Sequence, residues 1–272
     1  MTVFQAFILG VIQGLTEFLP VSSSGHLVLA QELFGISHGG DISFEVFVHF
    51  GTLLSVLAAF WKDVVGIASA LIAALKNPRG VVTLFKNSEH LRLGVFIVVG
   101  TIPAAFAGVR FEHQVDVLFD DPKLVSVMLM ITAFILFLSR FANPPSGSDV
   151  GLGSSIIVGI MQAVAILPGI SRSGLTISSG LMCGISRENS ARFSFLLALP
   201  IILGATFLKV GGLIAAPPKQ EVIVASFVGT VTAAVSGYVA ILFLIGIVRK
   251  GRLSWFAYYC FIVGVLGVLY IG

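Results

Sequence analysis

Apolar runs long enough to cross a lipid bilayer recur along this 272-residue chain, and nothing else constrains its fold as strongly. Inside hydrocarbon every backbone N–H and C=O must be paired within the protein, which leaves only helices and closed barrels. Barrel strands alternate polar and apolar residues over short segments; the runs here are continuous, so helices follow. Six of them qualify as spans, at 44–61, 91–110, 124–141, 191–210, 222–248 and 253–271, several only when flanking residues are counted toward the ~17–25 that a crossing needs. Charged residues make up 11% of the chain and the mean hydropathy is +1.04, whereas soluble domains carry about 25% charged residues. The fold class is therefore all-α and polytopic, with the lipid bilayer as its surroundings. No basic tail addresses nucleic acid. The N-terminus has neither the basic region nor the small-residue cleavage site of a signal peptide. Cys183 and Cys260 sit in apolar segments without metal-ligand spacing.

Two regions depart from the spanning pattern. Residues 3–18 and 26–36 are apolar but short and are split by the polar turn Pro20–Gly25; residues 152–167 and 175–185 repeat that design around PGISRSG. Each reads as a re-entrant helical hairpin, a geometry tolerated at membrane depth only where the turn is buried in protein or lines a wet cavity. The two hairpins align without gaps. QGLTEFLPVSSSG, from Gln13, falls on QAVAILPGISRSG, from Gln162, and the same offset of 149 positions carries Phe44 onto Phe193. The chain thus reads as one membrane domain made of two repeats, about 1–141 and 150–272. Three crossings separate equivalent points of the halves, so the second is inverted, as in many transporters.

Orientation follows from lysine and arginine. Lys62, Lys76, Arg79, Lys86, Arg92, Arg140, Arg187, Arg192, Arg249, Lys250 and Arg252 fall on one set of loops. The opposite side has Arg110, Lys123, Lys209 and Lys219, beside Glu112, Asp116, Asp120 and Asp121. The first set marks the cytoplasmic side, so the mouth of the first hairpin is expected to face outward.

Ionisable groups at membrane depth are costly, about 2.5–3.5 kcal/mol for arginine at a helix centre, and Glu17, His26 and Arg172 stand in the hairpins. A single buried ion pair locking the hairpins is the plainest account. It does not explain the hydroxyls gathered there: Ser22, Ser23 and Ser24 on one turn, Ser171, Ser173 and Thr176 on the other. The SRSG turn leading into a helix has the makings of an anion site, with helix-start N–H groups, hydroxyl donors and the planar fork of Arg172. Gln13 and Glu17, four residues apart, share a helix face and offer oxygen ligands of the kind that suit Mg²⁺ or Ca²⁺. His26 has the chemistry of a general base or a nucleophile. Glu45 and His49 form a second pair four residues apart, as part of the site wall or as an interfacial pair.

With these residues in view, the chain resembles the undecaprenyl pyrophosphate phosphatase family, the bacitracin-resistance (BacA/UppP-type) membrane enzymes. The family pattern [E/Q]-x-x-x-E matches Gln13–Glu17, and P-G-x-S-R-S-x-x-T matches Pro168–Thr176; EFLPVSSSGH, FEVFVHFG and ARFSFLLALP extend the likeness over essentially the whole length. The first pattern is loose; the second is specific. The resemblance implies an enzyme that removes the terminal phosphate of a C55 polyprenyl diphosphate, and an inverted-repeat fold of six transmembrane helices with two re-entrant hairpins. By position it implies that Glu17 and Gln13 hold a divalent cation. Arg172 with Ser171, Ser173 and Thr176 would bind the diphosphate, joined by Ser22 and Ser24. Ser23, His26 or a water would make the displacement. Many members carry Glu where this chain has Gln13, and Glu45 is the candidate for the second charge. The expected location is the bacterial cytoplasmic membrane, with a homodimer left open.

Two other classes fit less well. A transporter or lipid flippase agrees with the inverted repeats but lacks a distinct coupling-ion site. A phosphatidic-acid-phosphatase-type enzyme is suggested by SSSGH, yet its K-x6-R-P element is missing and no His follows Ser171-Arg172 in the required place.

Overall fold

The computed structural model describes residues 1–35, 42–215 and 220–271, and among them contains helices and turns but no strand. In chain order the helices are α1 (Val3–Phe18), α2 (Ser23–Leu33), α3 (Ile42–Ala59), α4 (Trp61–Lys76), α5 (Val81–Asn87), α6 (Glu89–Phe119), α7 (Pro122–Leu138), α8 (Leu152–Val164), α9 (Arg172–Met182), α10 (Arg187–Ala215), α11 (Gln220–Arg249) and α12 (Trp255–Tyr270). The offset that aligns the two turns carries the bounds of α2 onto those of α9.

Four stretches of described residues are long and apolar enough to cross a membrane: Glu89–Phe111, Pro122–Phe141, Arg187–Leu208 and Val222–Arg249. They define a multi-pass membrane protein. Local signals set their starts. Ser88 accepts from the Leu91 N–H to open α6, and Asp121 accepts from the Leu124 N–H to open α7, with Pro122 in the first turn. The run expected as a span at 44–61 ends at Ala59; after Phe60 (φ −116°, ψ 29°) the chain bends by 84° into α4. None of the residues of α4 is buried, and Trp61, Ile72 and Leu75 are exposed on it, the character of a helix lying along a membrane surface. The run expected at 253–271 is a helix of 16 residues, about 24 Å long at 1.5 Å per residue, packed against α7.

The hairpin helices are seated by close backbone contact. A Cβ built on Gly10 of α1 would lie 2.9 Å from the Gly229 Cα of α11, and one built on Gly159 of α8 would lie 2.9 Å from the Gly100 Cα of α6. Helices in lipid associate through small residues that let backbones approach, and each hairpin uses that device against a different long helix. Beneath the turns lies an aromatic core. Phe18 meets Phe195 edge-on at 5.7 Å, and Phe60 lies 5.8 Å from Phe195. This core joins the foot of α1, the α3–α4 bend and α10.

Candidate active site

The two turns meet tip to tip and are built alike. Ser22 caps α2 by accepting from the Gly25 N–H (3.2 Å), and Ser171 caps α9 by accepting from the Gly174 N–H (3.0 Å). Each cap also pairs with the hydroxyl two residues on, Ser22 with Ser24 (3.2 Å) and Ser171 with Ser173 (3.3 Å). The hairpins then exchange contacts: Ser24 Oγ accepts from the Gly169 N–H, and Ser173 Oγ donates to the Leu19 carbonyl. Their backbones differ. Ser22 holds φ +69°, costly for a residue with a side chain, while the second turn places its positive φ on Gly169 (+86°). A Cβ at Gly169 would also collide with the Val125 carbonyl oxygen, so this turn is pressed against α7. Thr132 of α7 clamps it by donating to the Gly169 carbonyl and accepting from the Ser171 N–H, both at 3.0 Å.

Glu17 stands where the turns meet, 8% exposed. Its Oε1 accepts from Arg172 Nη2 at 2.6 Å. Its Oε2 accepts from the Ser23 hydroxyl at 2.7 Å and from Gln13 Nε2 at 3.0 Å, and His49 Nε2 lies 3.9 Å away. One carboxylate thus joins both hairpins and α3. The ion pair suspected from sequence exists, within the hydroxyl cluster that argued for more than an ion pair. Its balance is incomplete: Arg172 Nη1 and Gln13 Oε1 are buried without a partner, groups that a ligand would satisfy.

Two adjoining chambers open on this centre. The polar one, about 190 Å³, is walled by Ser22, Ser23, Ser24, Ser171, Glu17, Arg172 and His49. The larger, about 340 Å³, shares Glu17, Ser24, His49 and Arg172 and is otherwise mainly apolar, with Leu27, Val28, Val46, Ile166, Ile201 and Ile202 among its lining. Glu45 lines it as well, and the Glu45 carbonyl meets His49 Nδ1 at 2.8 Å.

Not every residue expected at the site faces these chambers. Gln13 is fully buried behind Glu17. Ser173 donates to the Leu19 carbonyl, and Thr176 Oγ1 donates to the Arg172 carbonyl (2.7 Å) and pairs with Ser194 Oγ (2.6 Å); both hydroxyls are occupied in holding the second turn. His26 is engaged at both ring nitrogens, Nδ1 with the Ser22 carbonyl (2.8 Å) and Nε2 with the Tyr259 hydroxyl (2.9 Å), and its ring stacks on Tyr259. Sequence reasoning passed over Phe119, which lines both chambers, and Val115, which lines the larger. The span was expected to end at 110, whereas α6 continues to Phe119; apolar residues four apart at 111, 115 and 119 were the available signal. Thr132 was a further omission, a hydroxyl inside an otherwise apolar run.

Among the described residues no group of three or more His, Cys, Asp or Glu side chains is placed to hold a metal ion. The oxygen donors on the chamber walls are the carboxylates of Glu17 and Glu45, with the unpartnered oxygen of Gln13 buried behind Glu17. All are oxygens, which fits a hard divalent ion completed by ligand oxygens and water.

A helical membrane protein with a buried carboxylate–guanidinium–serine centre beneath a polar chamber, continuous with an apolar one, has the form of a protein that handles an amphiphile with an anionic head. The chain belongs to the family described as bacitracin resistance protein BacA, whose model matches residues 6–266. It is 45% identical over 272 residues to a protein of Salinibacter ruber named undecaprenyl-diphosphatase, covering 98% of this chain and 99% of that one. Proteins of the same name are 42% identical in Halothermothrix orenii (100% and 99% covered) and 41% identical in Korarchaeum cryptofilum (97% and 98%).

Proposed function

We propose that this chain hydrolyses undecaprenyl diphosphate to undecaprenyl phosphate and inorganic phosphate, recycling the lipid carrier for peptidoglycan and other envelope polymers and so conferring bacitracin resistance. Family membership and the names of the relatives support the substrate. The observation that carries the chemistry is the Arg172–Glu17–Ser23 cluster at the junction of the polar and apolar chambers. The terminal phosphate occupies the polar chamber, the prenyl-linked phosphate lies where it joins the larger one, and the first isoprene units fill the apolar part of the larger chamber. Arg172 turns its free Nη1, whose two N–H groups can reach both phosphates, to the diphosphate, with Ser24 and Ser171 as further donors to the terminal phosphate; Ser22, Ser173 and Thr176 hold the turns that aim them. Ser23 Oγ attacks the terminal phosphorus as its proton passes to Glu17 Oε2, the 2.7 Å contact being already made. The P–O bond to the prenyl phosphate breaks, and the charge growing on the leaving oxygen falls near Arg172. Glu17 hands that proton to the leaving oxygen, and the carboxylate so restored takes a proton from the water that displaces Ser23 Oγ from phosphorus, returning it to Ser23 as phosphate departs. His26, held between Ser22 and Tyr259, braces the first turn.

A divalent cation, Mg²⁺ or Ca²⁺, is assigned to Glu17 and Gln13 Oε1, with Glu45 as a further carboxylate; bound there it would neutralise phosphate charge. Six crossings (α3, α6, α7, α10, α11, α12) and two re-entrant hairpins in inverted repeats, in the cytoplasmic membrane with the site open to the outer face, complete the reading. The loop charges and the matched hairpin contacts support it.

The test is phosphate release from undecaprenyl diphosphate by purified protein in detergent, where no second compartment exists for a transporter to act between. Turnover is expected to stop on exhaustive chelation and to return with Mg²⁺ or Ca²⁺. No release under any ionic condition would overturn the enzymatic reading, and full activity after chelation would remove the metal from it.

A further inference from the structure

Gln162 of α8 is 2% exposed and lines the larger chamber beside Arg172 and Glu17, yet neither its Oε1 nor its Nε2 has a partner. A buried amide left unpaired costs about 1–3 kcal/mol, so a residue in this state is best understood by what it awaits. The first hairpin supplies the comparison. Its counterpart, Gln13, donates to Glu17 four residues on, and Glu17 in turn bridges Gln13 to Ser23. In the second hairpin the residue four past Gln162 is Ile166, and Arg172 stands where the first has Ser23. The second hairpin therefore has no carboxylate of its own in the place of Glu17, while two donors, Gln162 Nε2 and Arg172 Nη1, are left buried and unused.

We propose that Gln162 is a substrate-binding residue, and that a phosphate of the substrate bridges Gln162 and Arg172 as Glu17 bridges Gln13 and Ser23. Gln162 lines the apolar chamber and is absent from the walls of the polar one. The group it holds is accordingly the phosphate attached to the prenyl chain, the one that departs with the lipid product. This inference rests on the phosphatase reading above and adds to it the residue that grips the leaving group.

The test is Gln162→Leu in the full-length protein, followed by melting temperature, steady-state kinetics and inhibition by two probes. If Gln162 serves the ligand, removing an orphaned amide leaves the melting temperature unchanged or higher. KM for the diphosphate rises by about 10–100-fold, the worth of one hydrogen bond to a charged group. Inhibition by a short-chain prenyl monophosphate weakens by a similar factor, and inhibition by inorganic phosphate changes less than about twofold. Should Gln162→Leu fail to fold, Gln162→Glu serves: it keeps the shape, sets a negative charge against the phosphate and weakens prenyl monophosphate more than inorganic phosphate. Kinetics near wild type, a lower melting temperature with activity lost in step, or equal weakening of both inhibitors would each overturn the assignment. Normal kinetics in Gln162→Leu beside an inactive Arg172→Lys would reject this inference alone; an active Arg172→Lys would reject the phosphatase site beneath it.

Discussion

Replacing Arg172 by lysine is expected to lower kcat/KM on the order of 10²-fold or more, by analogy with the loss of a preorganised donor to a developing charge. Lysine keeps the positive charge but not the planar fork. In the structure that fork is divided: Nη2 is committed to Glu17 at 2.6 Å, while Nη1 is buried and unpartnered. A lysine ammonium can answer one of these demands, and Glu17 is the nearer. Arg172→Lys should therefore fold and keep its ion pair while binding the terminal phosphate poorly. Steady-state assay of a variant with wild-type melting temperature decides the matter. Near-normal turnover would mean that Arg172 serves only to pair with Glu17.

The second large effect is expected at Glu17. Glu17→Gln removes the base that the Ser23 hydroxyl already contacts, and turnover should fall by about 10²–10⁴-fold. It also leaves the Arg172 side chain, only 17% exposed, without its counter-charge; breaking a buried pair from one side costs about 3–5 kcal/mol, so the melting temperature should drop as well. The two consequences can be separated. Adding Arg172→Gln removes the uncompensated charge, so the double variant should regain much of the lost melting temperature and none of the turnover. Turnover above a tenth of wild type in the single variant would exclude Glu17 as the base.

The pattern that makes both residues conspicuous in the sequence is local. Glu17 and Arg172 sit within short polar breaks in apolar runs, and the expense of a charge at membrane depth is enough to mark them. The offset that aligns the breaks also locates α9 from α2, because both helices start at a hydroxyl cap that a sequence displays. Less of the remainder is legible. The end of the run expected at 44–61 falls within two residues of the bend after Ala59; what the sequence reading missed is that the residues from Trp61 to Lys76, taken as part of a loop, form the helix α4. His26 looks like a catalytic group because a histidine beside serines invites that reading. Its partner, Tyr259, lies 233 positions away, and no local pattern announces a contact of that range. Ser173 and Thr176 belong to the specific signature, yet their hydroxyls face protein, because a turn at that depth must satisfy its own backbone before it can serve a ligand. Gln162 aligns with Gln13 in the sequence alone; that Ile166 stands where a carboxylate could have been acquires meaning only beside the unpartnered amide.

The bond between Glu17 and Arg172 joins residues 155 positions apart, and this separation has a consequence for biosynthesis. At about 5–20 residues per second, a ribosome adds Arg172 roughly 8–31 s after Glu17. Throughout that interval the first hairpin exists with its carboxylate and without the guanidinium that completes it, at a stage when it would already be entering lipid. The nascent chain must keep Glu17 hydrated, protonated or sheltered by the insertion machinery until the second hairpin arrives. The order of synthesis thus makes the pairing of Glu17 with Arg172 a late event, possible only once the second hairpin has been made.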